Sequence, residues 1–171
     1  MCILIVKPAG AKVPRLNTLR NCAKRNNHGF GFATSSKVFK SLSFDDFVAQ
    51  VRKIKQDEPA IIHFRFATHG SICEENCHPF KDDSTGVAFA HNGVLPIEAE
   101  NNMTDSETAF RRRFVPKIKK YGLYSISLAQ SVNRIIGASK FAFIDSDGNL
   151  KTFGWFIEHD GCYFSNYQFM S

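Results

Sequence analysis

Apolar residues follow two different spacings along the chain, and these predict where helices and strands lie. Helical spacing predicts helices over three segments: 15–25, the stretch between Ser43 and Pro59, and 125–136. Unbroken apolar runs and apolar residues at every second position predict strands in six segments: 2–6, 28–33, 61–68, 87–95, a hairpin over 140–153, and 162–169. Strands at both ends with helices between them indicate a mixed α+β fold rich in antiparallel sheet.

Cap and breaker residues refine these bounds. Ser43 is expected to cap the second helix. Thr104 and Glu107 fit a capping box, which predicts a further helix from residue 104 onward. Pro116 is expected to kink or split that helix, because proline has no backbone N–H to donate. The segment 71–85 is polar and irregular, so we predict no regular element there.

Length and composition indicate a single globular domain over residues 1–171. The chain is 43% hydrophobic and 22% charged, and it is long enough to bury a sizeable core. No run approaches 18 apolar residues, so we expect no membrane span. The N-terminus lacks the charged and apolar regions of a secretion signal. We therefore expect a cytoplasmic protein.

The five cysteines are odd in number and share no repeated spacing, which argues against a disulfide framework and for a reducing compartment. Cys73, Cys77 and His78 form one C-x3-C-H group. Without a second pair of ligands this group is weak evidence for zinc. We expect no metal and no cofactor.

Most of the net charge of +6 comes from one segment, residues 111–120. It holds six cationic residues and no acid: Arg111, Arg112, Arg113, Lys117, Lys119 and Lys120. Such a basic face can contact nucleic acid, an acidic protein or a phosphorylated substrate. A solvated helix face is the favoured interpretation, and nucleic acid is the less favoured partner.

Four short stretches carry candidate chemistry: Cys2 after the initiator methionine, HFRFATHG at 63–70, HNG at 91–93, and DSE at 105–107. Each also has an ordinary structural explanation. Cysteine is common in buried strands, Asn-Gly is a frequent hairpin turn, and an acid in the first turn of a helix suits the helix dipole. No single stretch therefore predicts a function by itself.

Taken together and in order, these stretches resemble the class II glutamine amidotransferase domain, a type of N-terminal nucleophile hydrolase. The resemblance also includes a glycine-rich turn (NHGFG, 27–31), NCHPF (76–80) and a late hairpin (FAFIDSDGNL) followed by YFSN. It implies a four-layer αββα sandwich of two mainly antiparallel sheets. It also implies hydrolysis of L-glutamine to glutamate and ammonia.

The resemblance assigns the chemical step to three residues. Removal of Met1 would give Cys2 a free α-amine, which can act as the base for its own thiol, as in other N-terminal nucleophiles. The thiolate would attack the side-chain amide carbon of glutamine and form a γ-glutamyl thioester. Asn92 and the backbone N–H of Gly93 would hold the oxyanion of the tetrahedral intermediate.

The resemblance assigns substrate recognition to four further residues. Arg65 can bind the α-carboxylate of glutamine with two parallel hydrogen bonds. Thr68 and His69 lie beside it and would serve the same carboxylate. Asp105 would accept hydrogen bonds from the α-ammonium. One departure is His28 in the glycine-rich turn, where the family more often has an acid or an arginine.

The chain ends where such a glutaminase domain ends, so we expect a separate ammonia-accepting synthetase as the partner. Two alternatives stay open. One is a hydrolase of the same fold that cleaves γ-glutamyl amides of small molecules. The other is a non-catalytic binding module that uses the basic segment 111–120.

Overall fold

The computed structural model describes residues 1–68 and 70–170, and two antiparallel sheets dominate it. The six-stranded sheet has the strand order β3-β2-β4-β1-β10-β9. Its strands are β1 (Ile3–Lys7), β2 (Phe30–Ala33), β3 (Val38–Ser41), β4 (Ala60–Phe64), β9 (Ile157–His159) and β10 (Cys162–Phe164). The four-stranded sheet has the order β5-β6-β7-β8. Its strands are β5 (Phe80–Asp82), β6 (Val87–Asn92), β7 (Lys140–Ile144) and β8 (Leu150–Phe153).

In the described part of the chain, five α-helices accompany the sheets: α1 (Leu16–Arg25), α2 (Phe44–Val51), α3 (Asp105–Ala109), α4 (Val115–Tyr121) and α5 (Ile126–Asn133). The predicted caps form, because the hydroxyl of Ser43 accepts from Asp46 N and that of Thr104 accepts from Glu107 N. Ser125 caps α5 in the same way. Each cap satisfies a backbone N–H that has no partner inside its helix.

Three apolar clusters define the layers. One joins α1 and α2 to the outer face of the six-stranded sheet, and a second joins α3, α4 and α5 to the four-stranded sheet. The third lies between the two sheets and is built from small and branched side chains. Helix, sheet, sheet and helix therefore stack in that order, which confirms the predicted αββα sandwich.

β1 explains why the N-terminal apolar run does not alternate. All five of its residues are buried. Ile3 and Ile5 belong to the helix-facing cluster, whereas Leu4 and Val6 belong to the cluster between the sheets. A strand covered on both faces needs apolar residues at every position.

The structure corrects the predicted end of one strand. The strand expected over 61–68 ends at Phe64. β1 begins at Ile3, which pairs with Phe64, so β1 offers no ladder partner beyond that point. The residues after Phe64 are thereby released from the β1 edge, and they carry part of the candidate site.

Three short strands were missed: β3, β5 and β9, of which β9 pairs with β10. β3 pairs with β2 at the sheet edge, and β5, inside the segment predicted to be irregular, pairs with β6. All three are short and half-polar, so their pattern does not differ from that of a loop. The strands predicted over 87–95 and 162–169 were too long, as was the one over 61–68, and β6 ends at Asn92. The strand predicted over 162–169 ends at Phe164 and gives way to a 3-10 turn at Tyr167–Met170.

Pro116 splits its helix, as predicted. A π-helical turn over Phe110–Phe114 separates α3 from α4, and Val115 N donates to Phe110 O. Proline at position 116 cannot donate to the carbonyl one turn earlier, so the helix widens where that hydrogen bond is missing.

Candidate active site

Cys2 lies just before β1, at the edge where β4 has ended. Its Sγ accepts a hydrogen bond from Phe66 N at 3.2 Å and lies 3.5 Å from Phe66 O. Its carbonyl accepts from Asn166 Nδ2 at 2.8 Å. The side chain of Met1 is 69% exposed. Excision of Met1 would therefore remove little buried contact while Cys2 stays in place.

Burial raises the pKa of the Cys2 thiol above its ordinary value. The hydrogen bond from Phe66, the positive chain terminus and the Arg65 guanidinium each act in the opposite direction. A thiol in this setting becomes a nucleophile when a nearby base takes its proton.

Arg65 follows β4 and is only 3% exposed, a rare state for an arginine. Its backbone is fixed by two hydrogen bonds to the glycine-rich turn, from Arg65 N to Gly29 O and from His28 N to Arg65 O. Its Nη1 donates to Ser71 O at 2.8 Å. Thr68 lies at the exposed end of this segment. His69, the remaining residue predicted here, lies outside the described residues.

His28 supports the segment that contacts the Cys2 sulfur. Its Nδ1 accepts from Ala67 N at 2.9 Å, and its ring stacks on Phe66 with centroids 5.1 Å apart. Nδ1 must therefore be unprotonated, which places a ring proton on Nε2. His28 thus makes specific contacts at the position where the family more often has an acid or an arginine.

Gly93 follows β6 and needs to be glycine on two grounds. Its φ of 140° lies in a region that other residues rarely adopt. A Cβ at this position would also lie 2.8 Å from Ser139 Cβ and 2.9 Å from Ser139 Cα. Gly93 also lines the cleft that contains Cys2.

Asn92 is buried at the end of β6, and its amide is linked to β1 through Ser165, the residue after β10. Nδ2 donates to Ser165 Oγ at 2.8 Å, and the same oxygen accepts from Leu4 N at 2.9 Å. Oδ1 has no partner among the described residues. Ser165 therefore joins the candidate oxyanion donor to β1.

Asp105 is the first residue of α3, and backbone N–H groups fix its carboxylate. Oδ2 accepts from Leu95 N at 3.1 Å and Oδ1 accepts from Ser106 N at 2.8 Å. Ser106 Oγ in turn lies 2.7 Å from Nδ1 of the buried His91. One hydrogen-bonded chain thus runs from the carboxylate to β6.

The predicted residues converge on one small cleft. Its walls include Cys2, Arg65, Thr68, Gly93 and Asp105. Asn92 does not line the cleft, since its amide contacts Ser165 behind the wall. A larger cavity of about 550 Å³ adjoins the cleft.

Three residues of this cavity wall also line the cleft: Asn76, Thr104 and Asp105. The cleft therefore brings a thiol, a guanidinium, a carboxylate and the backbone of Gly93 into one space.

Some supporting residues were not assigned a role from the sequence: Ser165, Asn166, Ser106 and Asn76. YFSN contributed to the resemblance, but nothing in the sequence indicates that Ser165 contacts Asn92 or that Asn166 contacts Cys2. Asn76 Nδ2 donates to Ser71 O at 3.1 Å and supports the carbonyl that Arg65 also binds. These contacts join residues far apart in the chain, so spacing could not reveal them.

Three buried histidines lie between the sheets beside the cleft. The rings of His63 and His78 are 4.2 Å apart, and those of His78 and His91 are 6.4 Å apart. Burial lowers the pKa of His63 to about 3 and that of His91 to about 4, although Asp105 raises the latter. Burial also lowers the pKa of His78, with the neighbouring histidines adding to the effect.

These histidines should make stability depend on pH. In the unfolded chain each titrates near pH 6.5, whereas the folded protein keeps them neutral to much lower pH. Their stabilising effect is complete above about pH 6.5 and is lost as pH falls toward the folded pKa values. Between pH 6 and 5 the free energy of unfolding should fall by about 1.4 kcal/mol per histidine.

Urea denaturation at pH 7.5, 6 and 5 measures this effect, since carboxylates remain largely ionised over that range. A free energy of unfolding that stays constant or rises toward pH 5 would contradict the assignment of neutral buried rings.

The basic segment 111–120 is partly neutralised. Arg111 Nε lies 2.7 Å from Glu107 Oε1, and Arg112 Nε lies 3.0 Å from Glu100 Oε2. The acids that pair with these arginines lie outside the segment, so the local charge is smaller than the sequence indicates. This arrangement fits a solvated helix face.

Within residues 1–68 and 70–170, none of the helices has the length and apolar character needed to span a membrane. No group of three or more histidine, cysteine or acidic side chains in the same ranges has the arrangement of a metal site.

The fold and the cleft define a class of protein, and comparison with family models gives the same class. Residues 22–152 match the model of the class II glutamine amidotransferases. The match covers more than half of the chain, and the chain belongs to this family. It spans Arg65, Asn92, Gly93 and Asp105 but not Cys2, whose assignment rests on its place in the cleft.

The most similar relatives include the isomerizing glutamine–fructose-6-phosphate aminotransferases. The Fusobacterium nucleatum protein is 32% identical over 95 residues, which cover 50% of this chain and 16% of that protein. The Methanothermobacter thermautotrophicus protein is 31% identical over 119 residues, which cover 61% of this chain and 20% of that protein. The matched regions are thus at most a fifth of either relative.

Solved structures share the fold. The glutamine phosphoribosylpyrophosphate amidotransferase from B. subtilis, complexed with ADP and GMP, superposes with a TM-score of 0.54 at 19% identity. The match covers 85% of this chain and 35% of that one. A structure described as the allosteric regulatory enzyme of purine biosynthesis gives a TM-score of 0.51 at 17% identity, covering 85% and 36%. At these identities the likeness establishes the fold.

Proposed function

We propose that this chain hydrolyses L-glutamine to glutamate and ammonia, with Cys2 as the nucleophile after Met1 is removed. The observation that carries the proposal is the cleft itself. The half-buried thiol of Cys2 shares it with the buried guanidinium of Arg65, the carboxylate of Asp105 and the backbone of Gly93. Family membership supplies the reaction class, and the thiol, guanidinium and carboxylate in the cleft support the proposed roles.

In the first half-reaction the α-amine of Cys2 takes the thiol proton, and Sγ attacks the side-chain amide carbon of glutamine. The C–N bond then breaks, the nitrogen leaves as ammonia with that proton, and a γ-glutamyl thioester remains. In the second half-reaction water attacks the thioester carbon, glutamate leaves, and the thiol recovers its proton. No oxidant, metal or cofactor enters this balance.

The oxyanion formed in both steps requires donors that are already in place. Gly93 N–H is the donor from the cleft wall, and glycine permits the close approach of the substrate. The amide of Asn92 is the second proposed donor. Its Nδ2 carries two N–H groups, and one of them donates to Ser165 Oγ. Asn92 can donate to the oxyanion with the second N–H, or after its side chain rotates away from Ser165 Oγ.

Recognition of the amino acid uses opposite charges at the far end of the cleft. Arg65 binds the α-carboxylate, and Thr68 and His69 are proposed to assist it. Asp105 binds the α-ammonium. Since the backbone already holds Arg65 and Asp105, little side-chain freedom is lost on binding. This arrangement favours a free amino acid over glutamine within a peptide.

We further propose that residues 1–171 form one glutaminase unit and that a separate synthetase accepts the ammonia. The matched relatives carry aminotransferase names and are several times longer than the matched region. All five cysteines are free thiols, which fits a reaction in the reducing cytoplasm.

A second candidate is hydrolysis of a γ-glutamyl amide with a larger, apolar amine. The adjoining cavity favours it, because Val94 and Leu95, which directly follow Gly93, contribute apolar side chains to its wall. The same Arg65 and Asp105 would hold the glutamyl part, while the leaving amine would differ.

Steady-state kinetics on two substrates test the proposal. L-glutamine should be hydrolysed with release of one ammonia per glutamate, and L-asparagine should not, because its amide is one methylene too short to reach Sγ. A kcat/KM for γ-glutamyl-p-nitroanilide above that for glutamine would favour the second candidate. Absence of hydrolysis of every γ-glutamyl substrate by protein lacking Met1 would overturn both.

A further inference from the structure

His63 makes a hydrogen bond between the two sheets that the reaction scheme above does not use. The side chain is fully buried, on the face of β4 that points toward the four-stranded sheet, and His63 pairs with Leu4 and Gly31 of its own sheet. Its Nε2 lies 3.0 Å from the carbonyl oxygen of His91 on β6.

The direction of this hydrogen bond follows from chemistry. A carbonyl oxygen only accepts, so Nε2 carries the proton and donates it. Burial, together with the charges of Arg65 and Lys40, holds the pKa of His63 at about 3, so the ring is neutral and has only that proton. Nδ1 has no hydrogen-bond partner among residues 1–68 and 70–170. The single ring N–H of His63 is therefore committed to the sheet-to-sheet contact.

Both ends of the contact lead directly into the cleft. On one sheet the chain runs from His63 past the end of β4 at Phe64 to Arg65 and to Phe66, whose backbone contacts the Cys2 sulfur. On the other sheet the His91 carbonyl belongs to the peptide unit that precedes Asn92, and Gly93 follows. The hydrogen bond thus fixes the separation between the sulfur-holding segment and the oxyanion segment.

We infer that His63 is a positioning residue, which sets the distance between the Cys2 nucleophile and the oxyanion donors by donating to the carbonyl of His91. The inference rests on the proposed glutaminase function and adds to it a residue that contacts neither substrate nor nucleophile. A displacement of about 1 Å between reacting groups can cost about 100-fold in rate, so one hydrogen bond at this point can govern turnover.

The inference predicts a separation of kcat from KM. Arg65 and Asp105 bind the substrate at the other end of the cleft and are fixed by other contacts. Loss of the His63 donor should therefore lower kcat while KM changes little. Reaction of Cys2 with iodoacetamide, which needs no oxyanion donor, should keep its rate.

Three variants test this. His63→Leu removes the donor and should lower kcat about 10- to 100-fold, with KM and the iodoacetamide rate within about 3-fold of the wild type. His63→Gln keeps an N–H at a similar distance from the backbone and should recover kcat to within about 5-fold. Ile61→Val removes a methylene from the same face of β4 and should leave kcat unchanged. His63→Phe replaces His63→Leu if the latter does not fold.

The outcomes distinguish a failure of the role of His63 from a failure of the proposed function. If the wild type is active, either of two results would overturn the role of His63 alone. One is a kcat for His63→Leu equal to that for Ile61→Val. The other is a kcat for His63→Gln as low as that for His63→Leu. A wild type lacking Met1 that does not hydrolyse glutamine would overturn the proposed function and this inference with it.

Discussion

Replacing Cys2 with serine is expected to lower kcat for glutamine hydrolysis about 10³-fold or more, while glutamine still binds. The hydroxyl has the shape of the thiol but is far less acidic, so the amine base cannot generate the nucleophile at neutral pH. The neighbouring contacts predict little structural change, because the sulfur accepts only one backbone hydrogen bond, from Phe66. Ammonia release measures kcat, and calorimetric titration measures glutamine binding.

Cys73→Ser is the matched control for this variant. Cys2 and Cys73 are the two cysteines that are not fully buried, whereas Cys22, Cys77 and Cys162 are buried. Burial also raises the pKa of Cys22 to about 12 and that of Cys77 and Cys162 to about 11. Retained turnover in Cys2→Ser would remove Cys2 from the reaction. An equal loss of turnover in Cys73→Ser would show that the effect is not specific to Cys2.

Replacing Arg65 with lysine is expected to raise KM for glutamine about 10- to 100-fold. Lysine keeps the charge but cannot make two parallel hydrogen bonds to a carboxylate, and it also loses the rigid donor to Ser71 O. Hydrogen bonds to charged groups contribute about 1.5 to 3 kcal/mol each, which corresponds to this range. Steady-state kinetics on both proteins give the comparison.

A substrate without the α-carboxylate tests whether Arg65 acts through its contact with that group. L-glutamine α-methyl ester should have a high KM with the wild type, and Arg65→Lys should raise that KM much less than it raises the KM for glutamine. The difference between the effects of Arg65→Lys on the two substrates measures the guanidinium–carboxylate contact separately from any general disturbance of the site. Arg20→Lys, on the exposed surface of α1, serves as the control and should leave both KM values unchanged. Equal effects of Arg65→Lys on the two substrates would show that Arg65 acts on the structure alone.

Apolar spacing predicted the main helices and strands because it is a local property, whereas the four-layer arrangement came from the resemblance. The helical spacing in α1 and α2 and the unbroken run of β1 record which faces are buried, and the capping box at Thr104 marks where a helix begins. β3, β5 and β9 were missed because a short edge strand with polar residues carries no such record.

The candidate site was predictable as a set of residues but not as a geometry. The resemblance brought Cys2, Arg65, Gly93 and Asp105 together, and the cleft contains all four. Asn92 belongs to the predicted set, yet its contact with Ser165 is visible only in three dimensions, since 73 residues separate the two.

The role inferred for His63 also depends on a contact that the sequence does not predict. In the sequence it is one more polar residue in an apolar strand, with nothing to separate it from a satisfied core histidine. Its importance comes from the carbonyl it meets on the opposite sheet, 28 residues along the chain. Contacts between sheets have no period in the sequence, so pattern analysis cannot find them.

The central claim is that Cys2, freed of Met1, is the nucleophile of a glutamine pocket. An intact mass spectrum of the purified protein, before and after incubation with the glutamine analogue 6-diazo-5-oxo-L-norleucine, tests it directly. We expect a mass lacking Met1, then one adduct that maps to Cys2 and is blocked by excess glutamine. Retained Met1 with no adduct, or an adduct on another cysteine that glutamine does not block, would contradict the claim.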